Sequence, residues 1–292
     1  MKEIMRYVQL RAFHNVAIHG GFSRAAEALF LTQPAISDQI RKLEEQYDVL
    51  LFNRHKKQVK LTTAGEALLE ITNRMFEVER QAQDLLSETR SLSSGVLRII
   101  ADSAHHVNPI LGRFRAKYPR IKVSMRSSNT KGVIDALYAY EADVGVLGEV
   151  PKNAEINVQI LGTSEIVAFA AKTFTRDSRG TLSFADLVHL PLVFRERGSK
   201  TRQKLEEAAK KAGVPLSPVI EAEGREAVRE IVASGAGIGF VSAAEYGHDD
   251  RFRLIQLEGP AIEMDEALIC LRERSRGKLV AAFMELAAET SV

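Results

Sequence analysis

Hydrophobic and polar residues follow two different patterns along this chain of 292 residues. In the N-terminal part, and again in a long segment after it, apolar side chains recur every three or four positions, as in amphipathic helices. Beyond that segment, short apolar runs alternate with helical stretches, which predicts an α/β architecture. We therefore expect an α+β multidomain protein, with a small domain at residues 1–62, a linker helix at 63–92 and a large domain at 93–292.

The small domain contains two short helices separated by a break before Thr32. Thr32 can cap the second helix, and Pro34 fits its first turn, where a backbone N–H is not needed. The apolar stripe of this helix is formed by Ala35, Ile36, Ile40 and Leu43. Its other face carries hydrogen-bonding side chains, namely Gln33, Ser37, Asp38, Arg41 and Lys42. This pattern predicts a helix-turn-helix whose second helix enters a DNA major groove.

A basic turn follows the two helices. Leu51 and Phe52 precede a polar run at 53–58, and residues 59–61 alternate like a short strand. Two short strands with a basic tip predict a wing, although a merely solvated hairpin is the alternative. We expect base contacts from Gln33, Pro34, Ser37, Asp38 and Arg41. Phosphate contacts are expected from Thr32, Arg54, Lys56 and Lys57.

These motifs together resemble the N-terminal domain of LysR-type transcriptional regulators. The shared elements are GxFxxAA, TQPAIS, the pair Leu43-Glu44, LFxR at 51–54 and LTxAG at 61–65. The sequence departs from the family where Tyr47-Asp48 replaces a usual glycine, and where Asp38 replaces a small or basic residue. The resemblance implies a winged helix-turn-helix, a linker helix and a two-lobed effector domain like a periplasmic binding protein. It also implies double-stranded promoter DNA, a small-molecule effector and RNA polymerase as partners.

The segment after the wing predicts a long helix from a Thr-x-x-Glu capping box at Thr63 to about Leu92. Its apolar residues recur at the spacing of a coiled-coil seam, and they are Leu68, Ile71, Met75, Val78, Ala82 and Leu85. Packing against the downstream domain is one interpretation. We favour pairing with a second copy of the chain, because two DNA-binding domains would match two half-sites of DNA. The resemblance implies a homodimer or homotetramer.

The C-terminal region alternates strands and helices, which predicts parallel sheets covered on both faces. The resemblance implies two lobes, the first at about 93–161 and 261–292 and the second at about 162–260. Ligands bind such sheets at the carboxyl ends of strands. Polar residues at these ends give the candidate effector site: Ser103, His105, Asn129, Thr130, Arg195, Ser199, Thr201, Arg202 and Glu223.

Each of these residues also has a structural interpretation. Ser103, Asn129 and Ser199 could simply cap helices. Arg195 and Arg202 could pair with the neighbouring Glu196 and Glu206. His105-His106 lack sequence neighbours at ligand spacing, so we expect no metal site. The convergence of several anion-binding groups nevertheless favours a small, anionic effector.

The segment FRERGSKTR and the later GREAVREIVASGAGIGFVSAAEYG are similar to the LysR branch associated with 2-aminoethylphosphonate degradation operons. Hydroxyls, helix N–H groups and an arginine fork suit a phosphonate, and Glu221 or Glu223 could hold its amine. 2-Aminoethylphosphonate or a related compound is therefore the effector hypothesis.

Composition limits the other function classes. The net charge is only +2, although basic side chains outnumber acidic ones up to Thr62. The one cysteine, Cys270, lies in an apolar run and fits a buried strand in a reducing cytoplasm. We find no signal peptide, no membrane-spanning stretch, no catalytic or nucleotide-binding motif and no cofactor motif. An enzyme and a pure small-molecule binding protein are the alternatives, and the latter leaves the N-terminal third unexplained.

Overall fold

The computed structural model describes residues 6–55, 58–86, 95–103 and 105–290. The chain divides into two compact units, Met1–Leu86 and Ser87–Val292. No helix in these described ranges is long and apolar enough to cross a membrane.

The first unit is a three-helix head followed by a hairpin and a long helix. Its elements are α1 (Tyr7–His19), α2 (Phe22–Leu29), α3 (Gln33–Tyr47), β1 (Phe52–His55), β2 (Gln58–Leu61) and α4 (Thr63–Leu86). The apolar faces of α1, α2 and α3 enclose one core around Phe13, Val16, Ile36 and Ile40. The helix α3 ends at Asp48, which has a left-handed conformation with φ of 49°. An aspartate tolerates this geometry, so it can end the helix where a glycine is usual in the family.

The second unit alternates strands and helices. Its elements are β3 (Val96–Ala101), α5 (Asn108–Lys117), β4 (Lys122–Ser127), α6 (Thr130–Tyr138), β5 (Val144–Leu147), β6 (Ile156–Ala171), β7 (Thr181–Leu182), α7 (Phe184–Leu187), β8 (Val193–Arg195), α8 (Lys200–Lys211), β9 (Ile220–Ala222), α9 (Arg225–Ala233), β10 (Ile238–Ser242), α10 (Ala243–Tyr246), β11 (Phe252–Leu257), β12 (Glu263–Leu271) and α11 (Lys278–Ala288). Short 3₁₀ turns follow β3 at His105–Val107 and β12 at Arg272–Arg274.

Two long strands carry the second unit from one lobe to the other. The main sheet has the order β4-β3-β5-β12-β6-β11-β7, and β10 also pairs with β6. The first half of β6 pairs with β12, and its second half pairs with β10 and β11. Lobe I therefore contains β3, β4 and β5, and lobe II contains β7 to β11. A register irregularity between Glu266 and Ala267 marks the crossing on β12.

The predicted parallel pairing is only partly correct. Strand β3 pairs in parallel with β4 and β5, and β8 pairs in parallel with β9. In contrast, β6, β10 and β12 form antiparallel pairs. The expected boundary between the lobes, at about residues 161–162, lies within one continuous strand, β6. Pairing with β12 on both sides of Gly162 keeps this strand extended.

Candidate DNA-binding surface and effector cleft

The helix α3 presents a polar surface, as its sequence predicts. Ile36, Ile40 and Leu43 are buried, whereas Thr32, Gln33 and Pro34 are exposed and Ser37 is half-buried. The Thr32 hydroxyl accepts a hydrogen bond of 3.4 Å from the N–H of Ala35 and so caps the helix. Ala35 itself is exposed, so its predicted place in the apolar stripe is wrong.

Asp38 neutralises two cations on the same surface. Its carboxylate lies 2.6 Å from Arg41 Nη2 and 2.7 Å from Lys42 Nζ, and Arg41 also lies 2.9 Å from Glu45. Hydrogen bonds from Lys42 and then Arg41 lower the pKa of Asp38, so it is anionic at neutral pH. A base or phosphate contact by Arg41 therefore requires an exchange of partners.

The wing is an antiparallel hairpin in which Phe52 pairs with Leu61 and His55 with Gln58. Lys56 and Lys57 lie outside the described residues, as does the side chain of Arg54. The base of the hairpin is fixed to α3 by Glu44, which is buried and accepts hydrogen bonds from the N–H groups of Leu51 (2.8 Å) and Phe52 (3.3 Å). This contact gives a physical role to the second residue of the Leu43-Glu44 motif.

One side of α4 packs on the head, and the other side is open in the single chain. His14 Nδ1 lies 3.2 Å from the Thr72 hydroxyl, and Tyr7 packs edge-on against Phe76. Along the predicted seam, Leu68 packs against the head core, Met75 is half-buried and Ala82 is exposed. Ile71 and Val78 are 57% and 63% exposed, which leaves an apolar stripe for a partner; the Leu85 side chain lies outside the described residues.

The two lobes of the second unit meet at Ser103 and Arg225. Ser103 follows β3 of lobe I, and its hydroxyl accepts a 3.3 Å hydrogen bond from Nη1 of Arg225, the first residue of α9 in lobe II. The same guanidinium lies 3.7 Å from Glu245. A small pocket beside this contact is lined by Phe169, Arg195, Thr201, Arg225, Val228, Phe240, Val241 and Glu245.

The predicted residues of lobe I are engaged in local contacts. Asn129 caps α6, which is the alternative role given for it above. Its side-chain oxygen accepts a hydrogen bond from the N–H of Gly132 at 3.0 Å. Thr130 donates to Asp102 at 2.9 Å, and the N–H of Gly148 also donates to Asp102, at 3.0 Å. The exposed His105 donates its backbone N–H to Ser103, and its ring stands edge-on to His106. Of this group, Ser103 and Thr130 are buried.

The predicted residues of lobe II divide into two groups. Ser199 is buried at the N-terminus of α8 without capping it, and the Thr201 hydroxyl lies 3.7 Å from the Met264 sulfur. Arg195 forms the ion pair with Glu196 that was the alternative to ligand binding, yet it still lines the pocket. Arg202 is buried and pairs with Glu206 and with Glu221.

The ion pair between Arg202 and Glu221 engages two side chains that were considered as ligand-binding groups. Because they bind each other at 2.6 Å, both are occupied in this structure. Glu223 is exposed after β9, just before α9.

Five cleft residues were not among the predicted site residues. Asp102 and His106 adjoin predicted positions, and Arg225 lies two residues after the predicted Glu223, so their neighbourhood was recognisable from sequence. Glu245 and Glu266 gave no such signal, because they reach the cleft from α10 and β12. Only the tertiary fold brings them to the end of β3.

A helix-turn-helix head followed by a two-lobed α/β unit is the architecture of a DNA-binding protein with a second, larger domain, and comparison with known proteins identifies the family. Residues 7–66 match the model of the bacterial regulatory helix-turn-helix protein, LysR family. Residues 90–291 match the LysR substrate binding domain. The chain belongs to the LysR family. It is a DNA-binding transcriptional regulator and not an enzyme, and the predicted fold class is confirmed.

Named relatives agree with this assignment. The chain is 28% identical over 282 residues to the HTH-type transcriptional activator CmpR of Synechocystis, covering 95% of this chain and 93% of CmpR. It is 31% identical over 236 residues to a RuBisCO operon transcriptional regulator of Allochromatium vinosum, covering 80% and 78% of the two chains.

Solved structures share the fold over nearly the full length. A full-length OxyR variant from Pseudomonas aeruginosa has a TM-score of 0.78 at 19% identity, and the match covers 98% of this chain and 95% of OxyR. CbnR complexed with its target DNA has a TM-score of 0.69 at 21% identity, with coverage of 98% and 100%.

Proposed function

We propose that a small anionic metabolite binds in the cleft between lobes I and II and changes how this regulator binds or activates its promoter. The observation that carries the proposal is the Ser103–Arg225 contact across the lobes, beside a pocket lined by Arg195 and Thr201. An anion inserted there would accept hydrogen bonds from both lobes. A ligand shifts a conformational equilibrium only when it binds two arrangements differently, and a ligand held by both lobes meets this condition.

The specific candidate remains 2-aminoethylphosphonate or a related compound. Its phosphonate would bind Arg195, Arg225 and Thr201, with Ser103 and Ser199 as further hydroxyl partners. Glu223 is the acid we assign to the amine, because Glu221 is occupied by Arg202. The relatives named above are CmpR and RuBisCO operon regulators and lend no support to the aminoethylphosphonate branch. Another neighbour, the CcmR regulatory domain, was solved in complex with 2-PG. The proposal therefore rests on the chemistry of the cleft.

The DNA contacts follow from the exposed face of α3. We propose that Gln33 and Ser37, with Pro34, Asp38 and Arg41 around them, read bases, and that Thr32, Arg54, Lys56 and Lys57 bind phosphates. The exposed position of Gln33 and Thr32 at the start of α3 supports this, because helix-turn-helix proteins contact bases from the N-terminal residues of the second helix.

We also propose that two chains pair through α4 and that the resulting dimer or tetramer acts in the cytoplasm with RNA polymerase. The exposed Ile71 and Val78 support the pairing. The coiled-coil spacing of the stripe supports the α4 helix of a second chain as the partner.

Calorimetry on the purified full-length protein tests the effector assignment. 2-Aminoethylphosphonate should bind more tightly than ethylphosphonate, which lacks the amine, and ethanolamine, which lacks the phosphonate. The Thr201→Val variant should weaken binding, and the matched Thr181→Val variant, at an exposed position of β7, should not. Binding of another small acid, with no heat from either phosphonate, would remove this effector and leave the regulator assignment intact.

A further inference from the structure

Three proton-binding side chains from different parts of the second unit converge beside the cleft. His106 lies in the 3₁₀ turn after β3 of lobe I, Glu245 lies in α10 of lobe II, and Glu266 lies on β12 at the crossing between the lobes. One ligand atom from each residue lies within 4.8 Å of the other two. His106 is far from both glutamates in sequence, so the convergence is a product of the fold.

The spacing of the three groups is close to that of metal ligands. Nε2 of His106 lies 3.2 Å from Oε1 of Glu266 and 4.0 Å from Oε1 of Glu245. Two ligands of a tetrahedral zinc ion, each about 2.1 Å from the metal, are separated by about 3.4 Å. Tetrahedral binding would require the Glu245 carboxylate to move closer to His106.

The carboxylate of Glu266 is the second, independent observation. Its side chain is 1% exposed, and within the described residues neither oxygen has a hydrogen-bond donor in good alignment. Nε2 of His106 is likewise buried without an aligned partner. A buried carboxylate without aligned donors is costly. Glu266 has His106 as an ion-pair partner at 3.2 Å, and a metal ion bound by both side chains would satisfy the carboxylate more fully.

The surrounding charges also favour a cation. Glu245 and Glu266 bring two carboxylates within 4.8 Å of each other and of the His106 imidazole. Arg225 contacts Glu245 through Oε2, at 3.7 Å, rather than through Oε1. The other oxygen of Glu245, Oε1, is the one that lies 4.0 Å from Nε2 of His106.

We propose that His106, Glu245 and Glu266 bind one divalent transition-metal ion, with zinc as the reference ion. One imidazole and two carboxylates form a donor set that suits zinc or manganese better than magnesium or calcium, which take oxygen ligands. Three protein ligands leave a position for water or for an oxygen of the effector.

Such an ion would join lobe I to lobe II, because its ligands come from both lobes and from the strand between them. Its influence on DNA binding rests on the function proposed above, whereas metal binding itself does not. The two proposals can therefore fail separately.

Titration of metal-free, tag-free full-length protein with zinc chloride, manganese chloride and magnesium chloride tests the site. We expect one zinc per chain, weaker manganese binding and no magnesium binding. Glu266→Gln and His106→Gln should each weaken zinc binding by at least about 100-fold, since even indirect supporting residues change metal affinity by about 10–100-fold. The matched controls are His189→Gln, an exposed histidine of lobe II, and Glu226→Gln, an exposed acid on α9.

Thermal melting gives a second readout that does not depend on DNA. Zinc should raise the melting temperature of the wild type and of both controls but not of Glu266→Gln. If Glu266→Gln does not fold, Glu245→Gln takes its place. Absence of stoichiometric zinc binding by the wild type, or equal weakening in His189→Gln and His106→Gln, would overturn the proposal.

Discussion

The hydroxyl of Ser103 and the guanidinium of Arg225 form a 3.3 Å hydrogen bond that joins lobe I to lobe II. Both residues are positioned by regular elements, since Ser103 follows β3 and Arg225 begins α9. The contact places a cation and a hydroxyl on opposite walls of the cleft. An anionic ligand can replace the direct contact by bridging the same two groups, which would change the distance between the lobes.

The first prediction concerns that bridge. Arg225→Gln should weaken 2-aminoethylphosphonate binding by at least about tenfold, because a charge-assisted hydrogen bond to a phosphonate contributes about 1.5–3 kcal/mol. Calorimetry measures the loss. Arg276→Gln, at an exposed position of lobe I, is the control and should bind like the wild type. Equal affinity in Arg225→Gln would place the anion elsewhere.

The second prediction concerns pH and Asp102. Burial raises the pKa of Asp102 to about 7, and the charges of Glu266 and Glu245 act in the same direction. The unfolded chain releases this proton near pH 3.9, so the folded state binds more protons between about pH 4 and 7. The free energy of unfolding should therefore fall with rising pH across this window, by up to about 1.4 kcal/mol per pH unit.

Denaturation by urea at several pH values measures this slope. Asp102→Asn should flatten it, since an amide carries no titrating proton and its oxygen can still accept from Gly148. Asp135→Asn, at an exposed position of α6, should leave the slope unchanged. A slope that is the same in Asp102→Asn would assign the titration to another group.

The third prediction concerns the buried ion pair of Arg274 and Asp143 in lobe I. Arg274 is fully buried, donates to the carbonyl of Ala142 at 2.8 Å and pairs with Asp143, which Arg98 also binds at 3.1 Å. Arg274→Met should lower the free energy of unfolding by about 3–5 kcal/mol, because it leaves a buried carboxylate poorly compensated. Arg272→Met, on the same turn but exposed, should change it little.

The pH dependence of this pair has the opposite sign to that of Asp102. Burial raises the pKa of Asp143, but the charges of Arg274 and Arg98 outweigh it and leave the pKa below its usual value. The pair therefore stabilises the fold fully above about pH 4 and less as the pH falls through the pKa of the folded state. In an acid titration, Arg274→Met should unfold at a higher pH than the wild type. The same midpoint pH in both proteins would contradict this prediction.

The fourth prediction concerns DNA reading. Gln33→Ala should reduce the preference for the operator over unrelated DNA by about 1–3 kcal/mol, the usual contribution of a good base contact. Fluorescence anisotropy at a fixed salt concentration measures both affinities. Asn15→Ala removes an amide of α1 that donates to the backbone carbonyl of Arg11, and this change should not alter specificity. An equal loss on both DNAs would make Gln33 a phosphate contact.

The fifth prediction concerns the exposed stripe of α4. Val78→Glu places a charge on the seam and should shift the protein from dimer to monomer, or from tetramer to dimer, in analytical ultracentrifugation. Thr63→Glu introduces the same side chain at an exposed position in the first turn of α4 and should preserve assembly. A dimer that survives Val78→Glu would move the interface to another surface.

The sequence was most informative where local signals coincide with the fold. The spacing of Ile36, Ile40 and Leu43 and the Thr32 cap were enough to predict α3. The LTxAG motif also has a local reason, because a Cβ on Gly65 would lie 2.2 Å from the carbonyl oxygen of Leu51. Only a glycine permits α4 to approach the loop before the wing so closely.

The cleft was less predictable, because its chemistry depends on residues distant in sequence. Thr130 was expected to face a ligand but donates to Asp102, and Arg202 is held by Glu206 and Glu221. Glu245 and Glu266 reach the site only through the antiparallel crossing of β6 and β12, which the alternation of elements did not indicate. Pairing of charges across such a crossing cannot be read from local patterns.

Binding of the purified protein to its own upstream DNA, at stated salt and with or without 2-aminoethylphosphonate, tests the central claim most directly. We predict operator binding at least about 10³ times tighter than binding to unrelated DNA, altered by the compound. Tight operator binding that ignores the compound would retain the regulator and exclude this effector. Binding to the upstream DNA that is no tighter than to unrelated DNA at every salt concentration would contradict the account.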